Sequence, residues 1–137
     1  MSLRCIRHAV FAVLLPLSLA PVAGCSRDDG QKLAVVQGLA RELGSAKALR
    51  LRAGCSYLSA NQRDLFLCDG TVQTLIHFAP GFPGSKVTAV GPSSGGYLNR
   101  PSRLTVHYEG RESRGNLDLL LHREESAWRI VALIPSP

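Results

Sequence analysis

Little in this sequence suggests metal binding, base stacking or a membrane span. Aromatic residues make up 6% of the 137 positions, with one tryptophan, and basic residues form no run interleaved with aromatics. That excludes the usual footprint of nucleic-acid modules. The four histidines include no His-x-His pair, and the four cysteines include no C-x-x-C. Those are the spacings that mark zinc and redox sites, so neither a metal nor another cofactor is expected. Acidic pairs are scarce. Asp28-Asp29 and Glu124-Glu125 fall in polar stretches, and a general acid/base pair needs carboxylates facing one cleft. No apolar run reaches the ~20 residues of a comfortable bilayer span. Lysine occurs only at 32, 47 and 86, so the +6 net charge is carried mostly by arginine.

The first thirty residues carry the clearest pattern. Arg4, Arg7 and His8 form a basic head without acidic residues. Ala9 to Ala20 is apolar apart from Pro16 and Ser18, and Val22-Ala23-Gly24-Cys25 follows. A basic head, a short greasy core and small residues at a cut site make a secretory signal. Val22-Ala23-Gly24-Cys25 also resembles the lipobox of bacterial lipoproteins. The resemblance implies cleavage before Cys25, a thioether-linked lipid on its sulfur and an acylated amine, which together exceed what stable anchoring needs. Ser26, in the position where aspartate tends to retain enteric lipoproteins on the inner membrane, implies sorting to the outer membrane, facing the periplasm. The expected organisation is a signal peptide over 1–24, a lipidated short tether over 25–30 and one domain over 31–137. The tether after Cys25 spans at most ~18 Å.

Removing the signal leaves 113 residues with a net charge of +4, since all ten acidic residues lie beyond Cys25. That is enough for one modest core. Cys55 and Cys68 remain as an even pair in an oxidising compartment, so a disulfide is expected. Closing that loop stabilises by ~3 kcal/mol in the chain-entropy model.

Hydrophobic period sets the expected elements. Leu33, Val36, Leu39, Ala40 and Leu43 recur at helical steps, predicting a helix over 31–48. Leu49, Leu51 and Ala53 alternate with Arg50 and Arg52, and Leu65 to Cys68 return after a polar turn at Asn61 to Asp64. This predicts a hairpin stapled near its base by Cys55 and Cys68. Asp69-Gly70 is a turn signal, and Val72, Thr74, Ile76 and Phe78 alternate as a further strand would. A short strand over 86–90 and a Gly/Pro/Ser-rich loop over 91–101 follow. The last third alternates through Leu104, Val106 and Tyr108, then Leu117, Leu119 and Leu121, then Trp128, Ile130, Ala132 and Ile134, a three-strand antiparallel meander. The fold class is α+β, an N-terminal helix packed on a curved antiparallel β-sheet with one disulfide. The closing segments Leu104 to Gly110, Leu117 to His122 and Glu124 to Ile130 are similar to the end of cystatin-like or NTF2-like domains. That resemblance implies a helix on a sheet and does not decide function.

Candidate chemistry is sparse. Gly91-Pro92-Ser93-Ser94-Gly95 matches G-x-S-x-G, whose serine is a nucleophile when a helix follows, but Gly96 and Pro101 oppose that helix. His77, His107 and His122 all fall on expected strands without a ligand spacing. Arg100, Arg103, Arg111 and Arg114 are expected near one set of turns, as an anion- or partner-binding patch or as a solvated edge. The expectation is a non-enzymatic, membrane-anchored protein-binding module without nucleic-acid partners: an immunity protein, an inhibitor or an envelope-apparatus component. The alternative is a small-ligand carrier whose cup is lined by Leu75, Leu120, Val131 and Leu133. A hydrolase using Ser93 ranks last.

Overall fold

A computed structural model describes residues 27–45, 54–59 and 65–135. The signal segment, Cys25, the strand expected over 49–53 and the turn at 61–64 lie outside the described residues. The first helix, α1, runs Arg27–Ser45 with Asp28 and Asp29 in its first turn. Acidic side chains there favour the positive end of the helix dipole. Residues 27–30, expected as tether, are therefore helical. Val36, Leu39, Ala40 and Leu43 are buried, as the stripe requires, and Leu33 packs against them.

The segment from Cys55 onward departs from the expected hairpin. Cys55–Tyr57 is a 3-10 helix and Leu65–Phe78 is a second α-helix, α2. The Cys55–Cys68 disulfide joins these two, with Cα atoms 5.8 Å apart. Cys68, Val72, Leu75 and Ala79 are buried at steps of four, three and four, which is a helical period. Thr74, one of the supposed strand's inward positions, is exposed and donates its hydroxyl back to the Gly70 carbonyl at 2.8 Å. Asp69-Gly70 lies within the helix, and Pro80-Gly81 stands just beyond its end, as helix stops do.

The sheet matches the meander. Its strands are β1 Lys86–Ala89, β2 Ser94–Gly95, β3 Ser102–Glu109, β4 Arg114–Glu124 and β5 Ala127–Pro135. The order is β1-β3-β4-β5, all antiparallel, with β2 also pairing with β3. A bulge between Leu120 and Leu121 shifts the β4–β5 register. Bulges of this kind bend a strand and raise its twist.

One sheet face takes both helices. Leu104, Val106, Leu117, Leu119, Leu121 and Ile130 lie there, fully or nearly fully buried. α1 packs across β1, β3 and β5, while α2 meets β5. Two glycines of α1 explain themselves by close approach. A Cβ on Gly38 would lie 2.5 Å from the Tyr57 ring, and one on Gly44 would lie 2.3 Å from the Gly84 Cα. There the Gly84 amide donates to the Ala40 carbonyl at 2.7 Å. The helix propensity lost at these positions is ~1 kcal/mol each, and it is exchanged for contact with the Tyr57 ring at Gly38 and with backbone at Gly44. Among the described residues no helix is long and apolar enough to cross a membrane.

Candidate functional site

The buried face of α1 continues toward its N-terminus, but with charges. Asp29 and Lys32 are 7% and 5% exposed. They sit seven and four residues before Val36, on the same stripe. The Lys32 ammonium lies 3.5 Å from Asp29 Oδ1 and 4.5 Å from the centroid of the Trp128 ring. It donates to Ser93 Oγ at 2.8 Å, while the Ser93 hydroxyl donates to Asp29 Oδ1 and the Ser93 amide donates to Asp29 Oδ2 at 3.2 Å. Burial pushes the Asp29 carboxyl up, but the two hydrogen bonds from Ser93 and the Lys32 ammonium outweigh it and leave it below the ordinary carboxylate range. These groups floor a cleft of about 520 Å³ between the start of α1, the 93–100 loop and the β4–β5 hairpin.

The hydrogen bonds around Ser93 bear on its reactivity. A nucleophilic serine must pass its proton to a base whose pKa lies near the working pH. The acceptor here is a carboxylate of lowered basicity, and the lysine is engaged as a donor. The arrangement fastens the loop to α1, because the hydroxyl and the amide of one residue bind both oxygens of one carboxylate.

The pinned loop ends in an unusual turn. β2 and β3 form a hairpin, and the Arg100 amide closes its tip on the Tyr97 carbonyl at 3.0 Å. Both central residues are left-handed, Leu98 at φ 52° and Asn99 at φ 61°, which makes this a primed turn of the hairpin kind. Asparagine tolerates that region, whereas a leucine there costs ~1–2 kcal/mol. The same turn exposes its apolar side chains, Tyr97 at 80% and Leu98 at 94%.

A second cluster lies on the sheet face that the helices leave open. Thr105 Oγ1 donates to Asp118 Oδ1 at 2.6 Å, and Arg103 Nη2 bonds Asp118 Oδ2. The Thr105 hydroxyl, then the Arg103 guanidinium, hold the Asp118 carboxyl below its ordinary range against the effect of burial. Leu120 pairs with Arg103 and Ala132, and Ile134 pairs with Asp118. Directly opposed residues share a face, so these half-buried aliphatics surround the ion pair.

The four arginines expected together divide. Arg100 and Arg103 stand at the start of β3, whereas Arg111 and Arg114 flank the β3–β4 turn beyond its other end, about 20 Å away at ~3.4 Å per strand residue. Strand direction separates them: one turn precedes β3 and the other follows it. Arg111 and Arg114 border a shallow cleft with Glu109 and Glu112. The histidines divide too. His77 lies on α2 rather than a strand, His107 bonds Asn116 Oδ1 at 2.8 Å on the open face, and His122 borders the charged cleft. Among the described residues no three His, Cys, Asp or Glu side chains stand close enough to share a metal. Nor do the carrier residues share a face, since Leu75 is buried on α2 and Leu133 packs into the core while Leu120 is on the open side.

Comparison with family models, with curated proteins and with solved structures gives no match. Sequence reasoning placed Asp28-Asp29 in the tether and passed over Lys32. Extending the α1 stripe backward from Val36 by four and seven residues would have found both buried charges.

Proposed function

We propose that the chain is a lipoprotein held through Cys25 on the periplasmic face of the outer membrane, and that its domain binds a protein partner on the open face of the sheet. The observation that carries this reading is the Arg103–Asp118–Thr105 network, already ordered and ringed by half-exposed Leu120, Ala132 and Ile134. Interface centres combine an anchored arginine with apolar contact that excludes water. Small molecules favour concave pockets that bury most of their surface, whereas among the described residues this face of the sheet is open, suited to a partner contributing ~800 Å². An immunity protein, an inhibitor of an envelope enzyme and an apparatus component all use such a surface.

The test has two parts. Tritiated palmitate should label the wild-type chain in cells and leave Cys25→Ala unlabelled; equal labelling would remove the anchor. The full-length oxidised chain should then capture one stoichiometric protein from the envelope and from competitors' secreted proteins. Capture should fail with Leu120→Arg or Arg103→Glu and survive Arg111→Glu. A partner indifferent to Leu120→Arg and Arg103→Glu would move the interface off this face.

A further inference from the structure

We infer that the Tyr97–Leu98 turn is a membrane-docking element that inserts into the bilayer surface beside the lipid anchor. The inference rests on Cys25 being the lipidated residue. Three observations carry it. The turn exposes two large apolar side chains at its tip, 80% and 94% exposed. It holds Leu98 in a left-handed conformation that glycine or asparagine would adopt more easily. The turn also borders the same cleft as the start of α1, to which its loop is fastened where Ser93 binds both carboxylate oxygens of Asp29.

The length of chain leading to the anchor then decides the occupant. Cys25 is two positions before Arg27, where α1 begins. Two residues span at most ~7 Å, so an acylated Cys25 keeps the first turn of α1 at the headgroup layer. A loop pinned to that turn reaches the same depth. Tyrosine is enriched at membrane interfaces, where its ring is half apolar and half wet, and leucine gains by leaving water. Arg100, exposed at the base of the turn, is placed to bind lipid phosphate through its guanidinium fork. Arg27 and Arg123 add positive charge at this end, and Asp28 and Glu125 oppose it. Attraction to anionic lipid is therefore modest, and the apolar tip carries the docking. Zwitterionic vesicles should suffice.

The experiment uses the full mature chain with Leu98→Trp, reconstituted in phosphatidylcholine vesicles with plain or brominated acyl chains. Bromine should roughly halve the Leu98→Trp emission, as expected for an indole at the interface. The wild-type chain, whose one tryptophan is the buried Trp128 of the cleft, should change little. Equal quenching of variant and wild type overturns the proposal. So does a blue shift of the variant's emission without bromine quenching, which would put Leu98 against protein. Intact mass of the same sample reports acylation. If Cys25 carries no lipid, the anchor reading fails by itself. Bromine quenching of the unlipidated variant on added vesicles would still support docking by the turn, and its absence would overturn it.

Discussion

Replacing Asp29 with asparagine keeps the shape of the side chain and leaves the Lys32 ammonium buried without its counter-charge. Lys32 is 5% exposed, 3.5 Å from the carboxylate and 4.5 Å from the Trp128 ring centroid. Breaking a buried pair from one side costs ~3–5 kcal/mol, whereas removing both charges in favour of apolar groups is often near neutral. The π face of Trp128 offsets some of the loss, by ~1–2 kcal/mol when desolvated. The expected cost of Asp29→Asn is therefore ~3 kcal/mol, and that of Lys32→Met is similar because the Asp29 carboxylate, though it keeps its Ser93 donors, loses the Lys32 counter-charge. The double variant is expected to cost under ~2 kcal/mol, a coupling well beyond the ~0.5 kcal/mol scatter of independent sites. Urea denaturation of the oxidised protein, followed by Trp128 fluorescence, measures all four corners. With m ~1.5 kcal/mol/M, each single substitution lowers the midpoint by roughly 2 M. If the double variant loses the sum of the two single losses, the pair does not act as a unit and the reasoning is wrong.

Three further outcomes are expected. Reducing Cys55–Cys68, which closes a loop with a sequence separation of 13, should cost ~3 kcal/mol in denaturation with and without dithiothreitol; no shift would mean the unfolded chain is constrained by other means. Asp29 and Asp118 both titrate below the ordinary carboxylate value when folded. Their stabilisation is then fully present above the unfolded pKa of ~3.9 and is lost as the pH falls through the folded values. Thermal melts from pH 7 down to pH 2 should show that loss at the acid end, and Asp118→Asn should shrink it. Leu98→Asn should stabilise the domain by ~1 kcal/mol by relieving left-handed strain while weakening bilayer docking, and a destabilised variant would place the strain elsewhere.

How far the sequence could be read follows from which residues carried a single period. β3 and β4 were legible because Leu104, Val106, Tyr108, Leu117, Leu119 and Leu121 alternate with residues that are polar apart from Leu120, and one face is buried throughout. α1 was legible from Val36, Leu39, Ala40 and Leu43 for the same reason. α2 was not. Val72, Ile76 and Phe78 satisfy a strand pattern, and the helical set Cys68, Val72, Leu75, Ala79 mixes a disulfide cysteine and an alanine with two aliphatics. The cysteine pair itself was correct, but spacing alone does not say which elements it joins. The charged cleft was hidden because Asp29 and Lys32 look like solvated residues until α1 is extended to Arg27. The Tyr97–Arg100 turn was hidden because Leu98 stands where turn chemistry favours asparagine or glycine. The open-face network needed the β3–β4 register, which places Thr105 opposite Asp118 and Arg103 opposite Leu120.

The clip between the Cys55–Tyr57 3-10 helix and the sheet has a bearing on crowding. Among the described residues β5 is the last strand of the order, and an outer strand offers unpaired amides and carbonyls to any neighbouring chain. Leu58 forms a parallel bridge with Ile130, and the Ser59 amide donates to the Ile130 carbonyl at 2.8 Å. The disulfide from Cys55 holds that short segment against α2. At the opposite side β1 is only four residues long and begins with Lys86. Under the proposed anchoring, copies of the chain meet one another at high effective concentration. The clip interrupts one border at Ile130 and the other border is short, so edge-to-edge growth is opposed at both, and reducing the disulfide would loosen the clip and favour aggregation.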